Sequence, residues 1–244
     1  MSAAEPSSAV LFDIDGTLVD SNYLHVHAWT RAFREVGIPI EAWRVHRSIG
    51  MDGSTLVDIL SGGAGDEVKQ QLKDLHSRYY KELAPLLRVL PGGREVLDRV
   101  ADLGLQAVLA TSAPEDELSI LREVLDRENV VSEVTSDADV ETAKPNPDII
   151  EIAMARAGVV ADRAVFIGDT VWDAEASGRA GVLCIGVLSG GISRAELLGA
   201  GASVVFENVR ELTDRIQETP IAALTRLRGS RDAGCHDATH LRSN

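Results

Sequence analysis

Val10-Leu11-Phe12-Asp13-Ile14-Asp15-Gly16-Thr17-Leu18-Val19-Asp20 is the stretch on which the reading of this chain turns. Val10, Leu11, Phe12 and Ile14 call for burial, and a short apolar run of this kind reads as a buried strand. Asp13 and Asp15 leave the end of that strand. Residues two apart share one side of an extended chain, so both carboxylates can face one point before Gly16 and Thr17 turn the backbone. An ordinary Asp-Gly turn would produce the same local pattern. A functional pair therefore predicts further polar groups at other strand ends, because ligands of open α/β sheets bind beyond the carboxyl ends of the strands.

The rest of the chain supplies those strand ends. Short apolar segments at 106–110, 130–134, 164–167, 182–187 and 203–206 alternate with helical patterns. Such alternation implies a parallel sheet covered on both faces by helices. Between the first strand and this alternating region, residues 21–88 show only helical spacing. Leu24, Ala28, Ala32, Phe33 and Val36 mark a helix over 22–36 that stops at Gly37-Ile38-Pro39. Leu56, Val57, Ile59 and Leu60 mark a second helix, and Val68, Leu72, Leu75 and Tyr79 a third. The expected organisation is an α/β Rossmann-like core at 9–20 and 89–224, a helical insertion at 21–88, a flexible N-terminus at 1–8 and a disordered polar tail at 225–244.

Polar residues recur where the test requires them. Thr111-Ser112-Ala113-Pro114 follows the second strand, and free backbone N–H groups at the helix start there can hold a phosphate. Ala143-Lys144-Pro145 pins a lysine between a loop and a helix. Gly168-Asp169-Thr170-Val171-Trp172-Asp173 adds two carboxylates. Each has a bland explanation as a helix cap or a solvated loop. Together they provide a nucleophile, an acid/base, a hydroxyl, a cation and metal ligands, which are the parts of phosphoryl transfer.

The four motifs, in this order, resemble those of the haloacid dehalogenase-like hydrolases, and the likeness covers residues 9 to about 210. The helical insertion after the first motif resembles the small mobile cap of the phosphoglycolate phosphatase and β-phosphoglucomutase branch. That resemblance, with the chemistry, implies Asp13 as the nucleophile forming an aspartyl-phosphate and Asp15 as the acid/base. Thr111, Ser112 and Lys144 are expected to hold the phosphoryl group. Mg²⁺ is the expected cofactor, bound by the Asp13 and Asp169 carboxylates and the Asp15 backbone carbonyl, with Asp173 behind them. His25 stands where similar proteins carry a histidine near the active site, although a surface or hinge histidine fits equally. His27, His46 and His76 read as surface positions of the insertion, and Trp29 and Trp43 as its packing.

Substrate choice is expected from the loop 47–53, with Arg47 as a candidate phosphate clamp. The branch's mutases place an arginine in this loop. Alignment on Leu56, Ile59 and Leu60 puts Asp52 there instead, favouring a phosphatase acting on a small phosphorylated metabolite over a sugar-phosphate mutase. A phosphonatase would need a Schiff-base lysine, and Lys69, Lys73 and Lys81 read as exposed. A true dehalogenase would make Asp15 superfluous, and a silent phosphometabolite-binding protein is expected to have lost Asp13 or Asp15.

Composition sets outer bounds. The chain has 244 residues, with 45% hydrophobic, 25% charged and a net charge of −14 from 24 Lys plus Arg against 38 Asp plus Glu. This opposes non-specific binding to nucleic acid or anionic membrane. No apolar run is long enough to span a bilayer, and the N-terminus lacks the pattern of a secretory signal. Cys184 and Cys235 read as reduced thiols, and Cys235, His236 and His240 lack the frame of a metal site. The expectation is a cytoplasmic enzyme, monomeric or a small homo-oligomer.

Overall fold

The computed structural model describes residues 8–136 and 144–229. Six parallel strands form one sheet in the order β3-β2-β1-β4-β5-β6. They are β1 (Ala9–Phe12), β2 (Gln106–Ala110), β3 (Val131–Thr135), β4 (Ala164–Gly168), β5 (Leu183–Val187) and β6 (Val204–Phe206). The strands expected at 130, 182 and 203 each start one residue later, and β3 and β4 end one residue later, a shift within the ordinary fraying of element ends.

Alternation along β1 separates the two halves of the core. Val10 and Phe12 enter one apolar cluster with Leu97, Val100, Leu109 and Ile167. Ala9 and Leu11 enter the other, with Val108, Ile150, Ala153 and Phe166. All four β1 residues are completely buried, which explains an unbroken apolar strand without the polar alternation of a half-exposed one. Helix α5 (Gly93–Asp102) leads into β2, and α6 (Glu115–Leu125), α7 (Asp148–Ala157), α8 (Val171–Arg179), α9 (Arg194–Gly199) and α10 (Val209–Asp214) follow β2 to β6 in turn. The chain order runs outward from β1 through β2 to β3, then crosses to β4 and on to β6. This puts the carboxyl end of β1 at the switch point of the sheet.

Four helices separate β1 from α5: α1 (Asn22–Glu35), α2 (Ala42–Ser48), α3 (Gly53–Leu60) and α4 (Asp66–Leu83). Phe33, Leu72, Tyr79 and Tyr80 are buried among them, in an apolar cluster continuous with one face of the sheet. Helix α2 is absent from the apolar pattern because only Val45 and Ser48 of its seven residues are buried. It takes the first two residues of the expected substrate loop, so Arg47 lies on a helix. Trp43, expected in the packing, is 66% exposed on the same helix, whereas Trp29 is buried as expected.

The expected tail also begins too early. Helix α11 (Ile221–Gly229) runs through its first residues, with Ile221, Ala222 and Leu224 buried before it. Residues 230–244, with Cys235, His236 and His240, and residues 1–7 of the expected flexible N-terminus lie outside the described residues. Ser8 is buried, and its carbonyl accepts a hydrogen bond from the Gln106 amide. Among the described residues, no helix is long and apolar enough to cross a membrane.

Candidate active site

Asp13 continues the line of β1 into the site. Its backbone N–H donates to the Ile167 carbonyl, so the chain is still held against β4 one residue past the strand. The Asp13 carboxylate is buried and accepts from Lys144 Nζ at 2.6 Å. The same Nζ lies 2.7 Å from Asp173 Oδ1, and Lys144 is 2% exposed. A buried lysine needs such neighbours, since an unpaired ammonium would lose its proton. Burial disfavours the Lys144 ammonium, but Asp13 and Asp173 outweigh that and drive its pKa above the ordinary lysine value.

Asp173 is held in turn by the start of α8. Its Oδ2 accepts from the Thr170 N–H and hydroxyl, while Thr170 Oγ1 accepts from the Asp173 N–H. This reciprocal cap ties one carboxylate oxygen to the helix terminus and leaves the other for Lys144.

Asp169 completes the acidic cluster. Thr17 Oγ1 donates to its Oδ1 at 3.1 Å and Asn22 Nδ2 to its Oδ2 at 2.8 Å. A Cβ added to Gly16, whose φ is +74°, would fall 2.5 Å from that Oδ2; one on Gly190 would fall 1.7 Å away. Both positions are reserved for glycine by close approach. Oxygen atoms of Asp13, Asp169 and Asp173 lie within 4.8 Å of one another. Burial, then Asp173 and Asp15, push Asp13 up to about 7 against the pull of Lys144. Burial and the charges of Asp173 and Asp13 push Asp169 well above the usual carboxylate range. Hard carboxylate oxygens in a negative, enclosed setting fit a divalent cation.

Asp15 faces a different set of partners. Ser21 Oγ donates to Asp15 Oδ1, and His25 Nε2 lies 3.3 Å from the same oxygen. Burial raises the Asp15 pKa, but the hydrogen bonds from His25 and Ser21 outweigh it and the net shift is downward. The partner shift is consistent: burial lowers the His25 pKa, and Asp15 more than restores it. His25 Nδ1 then lies 3.0 Å from His76 Nε2, and His76 Nδ1 is 3.7 Å from Glu117 Oε1. Burial and the neighbouring His25 charge push His76 well below the ordinary histidine value. Tyr80 stacks on His25 and Trp29 on His76, each with ring centroids 4.0 Å apart.

These groups surround a cavity of about 450 Å³ whose lining includes Asp13, Asp15, Thr111, Ser112, Lys144, His25 and Glu117. Thr111 Oγ1 accepts from the Ala113 N–H, while Ser112 Oγ has no protein partner. Nearly all of the site residues expected from the sequence thus converge. Arg47 does not: its guanidinium pairs with Glu196 at 2.7 Å, outside the cavity lining. His76, expected at the surface, is buried and lines the cavity; His46 is half-buried and bonds to the Gly190 carbonyl, whereas His27 is exposed as expected. Lys73 also reaches the cavity, in contrast to its expected exposure.

His76 and Glu117 were the residues least visible in sequence, yet both carried a signal. His76 falls on the apolar stripe of α4, four residues from Leu72 and from Tyr80. Glu117 sits beside Leu118 and four residues before Leu121 on the buried face of α6. A titratable residue at a core-facing helical position demands a partner or a task.

Known proteins are similar to this chain in sequence and fold. The haloacid dehalogenase-like hydrolase family matches residues 10–187. A phosphorylated carbohydrates phosphatase from Thermotoga maritima is 31% identical over 215 residues, covering 86% of this chain and 98% of its own. A phosphoglycolate phosphatase from Pseudomonas savastanoi pv. phaseolicola is 28% identical over 210 residues, covering 83% of this chain and 77% of its own. The crystal structure of a hydrolase from Pseudomonas syringae superposes with a TM-score of 0.83 at 34% identity, covering 87% of this chain and 99% of that one. A family match running from β1 to the end of β5 takes in all four polar strand ends, and the chain is an enzyme of the haloacid dehalogenase-like hydrolases.

Proposed function

We propose that this protein is a Mg²⁺-dependent phosphatase that hydrolyses a small-molecule phosphomonoester through an aspartyl-phosphate on Asp13. The observation that carries the reading is the pair Asp13 and Asp15 at the carboxyl end of β1, both lining the cavity, with Lys144 2.6 Å from the first and His25 3.3 Å from the second. One carboxylate is held by a fixed cation, the other by a group that can share a proton. Two carboxylates in unlike settings suit nucleophile and acid/base.

In the first step an Asp13 oxygen bonds to phosphorus as the ester P–O bond breaks, and the leaving oxygen takes through Asp15 the proton that Asp15 shares with His25. In the second, water attacks the aspartyl-phosphate, its proton passes to Asp15, and phosphate leaves as Asp13 is regenerated. His25 keeps Asp15 oriented between the two steps. Lys144 and Thr111 bind phosphoryl oxygens, and Ser112 offers a free hydroxyl beside them. Asp173 holds Lys144 rather than the substrate. The carboxylates of Asp13 and Asp169, with the Asp15 carbonyl, would hold the cation, which supplies charge neutralisation between a phosphate dianion and the acidic cluster.

Hydrolysis is favoured over mutase chemistry by the cavity wall. Asp52 stands in the wall and Arg47 is committed to Glu196, so neither acts as a cationic clamp for a second phosphate. A cytoplasmic setting is supported by the free, buried thiol of Cys184. The test is phosphate release from a panel of phosphomonoesters, with Mg²⁺ and with chelator. Metal-dependent release supports the reading; formation of an isomeric sugar phosphate in excess of free phosphate overturns it.

A further inference from the structure

We infer that Glu117 and Asp52 are specificity-determining acceptors that select a leaving group rich in hydroxyls, a polyol or sugar monophosphate, over one carrying a carboxylate or a second phosphate. This rests on the phosphatase reading above and assigns the end of the substrate that the phosphoryl machinery does not touch.

Three residues that line the cavity each keep a buried side-chain atom with no hydrogen-bond partner among the described residues: Glu117 Oε1, Asp52 Oδ2 and Ser112 Oγ. Glu117 is 2% exposed, so water does not readily supply what the protein withholds. His76 Nδ1 is 3.7 Å from that oxygen, beyond hydrogen-bonding distance. Asp52 uses its other oxygen to accept from the Ser54 and Thr55 N–H groups at the start of α3, which fixes the carboxylate and leaves Oδ2 over. A buried unpaired acceptor is disfavoured until a donor reaches it, and two such carboxylates lining one cavity ask for a ligand with several O–H groups.

The cations complete the inference. Among the described residues lining the cavity, only Lys144 and Lys73 carry a fixed positive charge, and none is an arginine. Lys144 is engaged by Asp13 and Asp173, and Lys73 lies by Ser54 with Nζ 3.4 Å from its hydroxyl. A second anionic group on the substrate would meet Glu117 and Asp52 with a single uncommitted lysine to balance them. Burial pushes Glu117 up to about 7, with the His25 charge opposing the shift and those of Asp15 and Asp116 adding to it. A cavity of about 450 Å³ accepts a phosphorylated chain or ring of several carbons.

The experiment compares kcat/KM for a hexitol 6-phosphate, 2-phosphoglycolate, phosphoethanolamine and p-nitrophenyl phosphate, in the Mg²⁺-loaded wild type and in Glu117→Leu, Glu117→Gln and Asp52→Asn. The hexitol phosphate is expected to exceed 2-phosphoglycolate by about a hundredfold, since a site built to hydrogen-bond hydroxyls discriminates strongly. Glu117→Leu should lower kcat/KM for the hexitol phosphate at least about tenfold more than for p-nitrophenyl phosphate, chiefly through KM. Glu117→Gln, close in shape and still an acceptor, should regain part of that loss. Asp52→Asn keeps the helix cap and should show the same selectivity shift to a smaller degree. Preference for 2-phosphoglycolate or phosphoethanolamine, or an equal loss on all substrates in folded Glu117→Gln, overturns the assignment. Turnover of p-nitrophenyl phosphate without hydroxyl preference defeats this inference alone, whereas inactivity toward every ester defeats the phosphatase reading as well.

Discussion

At the strand ends the charged groups hold one another. Lys144 bridges Asp13 and Asp173, Thr170 locks Asp173, and Thr17 with Asn22 locks Asp169. On the wall formed by Asp52, His76 and Glu117, two carboxylates retain an oxygen with no partner. The difference separates two tasks. Phosphoryl transfer is the same for every ester and benefits from dipoles and charges fixed beforehand. Substrate choice needs polar groups whose hydrogen bonds are completed only when the correct leaving group arrives. Disturbing the first region should therefore reduce turnover of every substrate, and disturbing the second should change stability and preference first.

The hardest blow to the strand-end cluster is Asp13→Asn. The amide is nearly isosteric but a poor nucleophile, and turnover of all phosphomonoesters should fall by about ten-thousandfold or more while far-UV circular dichroism stays unchanged. Activity above a few per cent in the folded variant would move the nucleophile elsewhere. Asp15→Asn should cost roughly a hundredfold to a thousandfold, the usual range for a lost general acid. Single-turnover kinetics should show both phosphorylation and dephosphorylation slowed; a normal dephosphorylation rate would assign the water's proton to another group.

The two regions also differ in how much of them the sequence discloses. Asp13 and Asp15 leave the end of β1 and Asp169 the end of β4, apolar strands of a parallel sheet whose carboxyl ends share one edge, so strand periodicity points to them, whereas Lys144 lies well past β3 and is marked by the prolines that follow it. The wall joins α3, α4 and α6, which lie far apart in the sequence, and no local pattern reports that His25 meets His76 across 51 residues. Arg47 misled for the complementary reason. Its loop position suggested a ligand, but α2 carries too thin an apolar stripe to be seen, and the helix directs the guanidinium to Glu196. Helical positions 72, 76 and 80 on α4 could have exposed His76, because one face holds all three.

A titration tests the open wall directly. Glu117 has an ordinary pKa of 4.5 when unfolded and is raised by burial to about 7 in the fold. The folded chain therefore binds its proton more tightly between these values. This contribution to stability is fully present below pH 4.5 and is lost as pH rises through 7. At pH 8 the loss is on the order of 3 kcal/mol. Glu117→Gln removes the ionisation, so denaturant midpoints should show the variant gaining on the wild type between pH 5 and pH 8. A constant difference across that range would mean that Glu117 is already satisfied as an anion.

The smallest effect is expected at Arg47, and it sharpens the boundary between the regions from outside. The Arg47 and Glu196 side chains are 41% and 42% exposed, and their 2.7 Å ion pair joins α2 to α9 at the surface. Exposed pairs of this kind contribute about 0 to 1 kcal/mol, since the solvent screens them and both long side chains lose rotamer freedom. Glu196 also caps α9 with Ser193, so it keeps a partner when the arginine is removed. Arg47→Ala should then leave KM for a monophosphate within about twofold of the wild type, and should lower stability by less than about 1 kcal/mol at moderate salt. A tenfold rise in KM confined to bisphosphorylated substrates would mean that Arg47 leaves Glu196 when substrate binds. It would then be the phosphate clamp suggested by its place in the sequence, and the cavity wall would extend to α2.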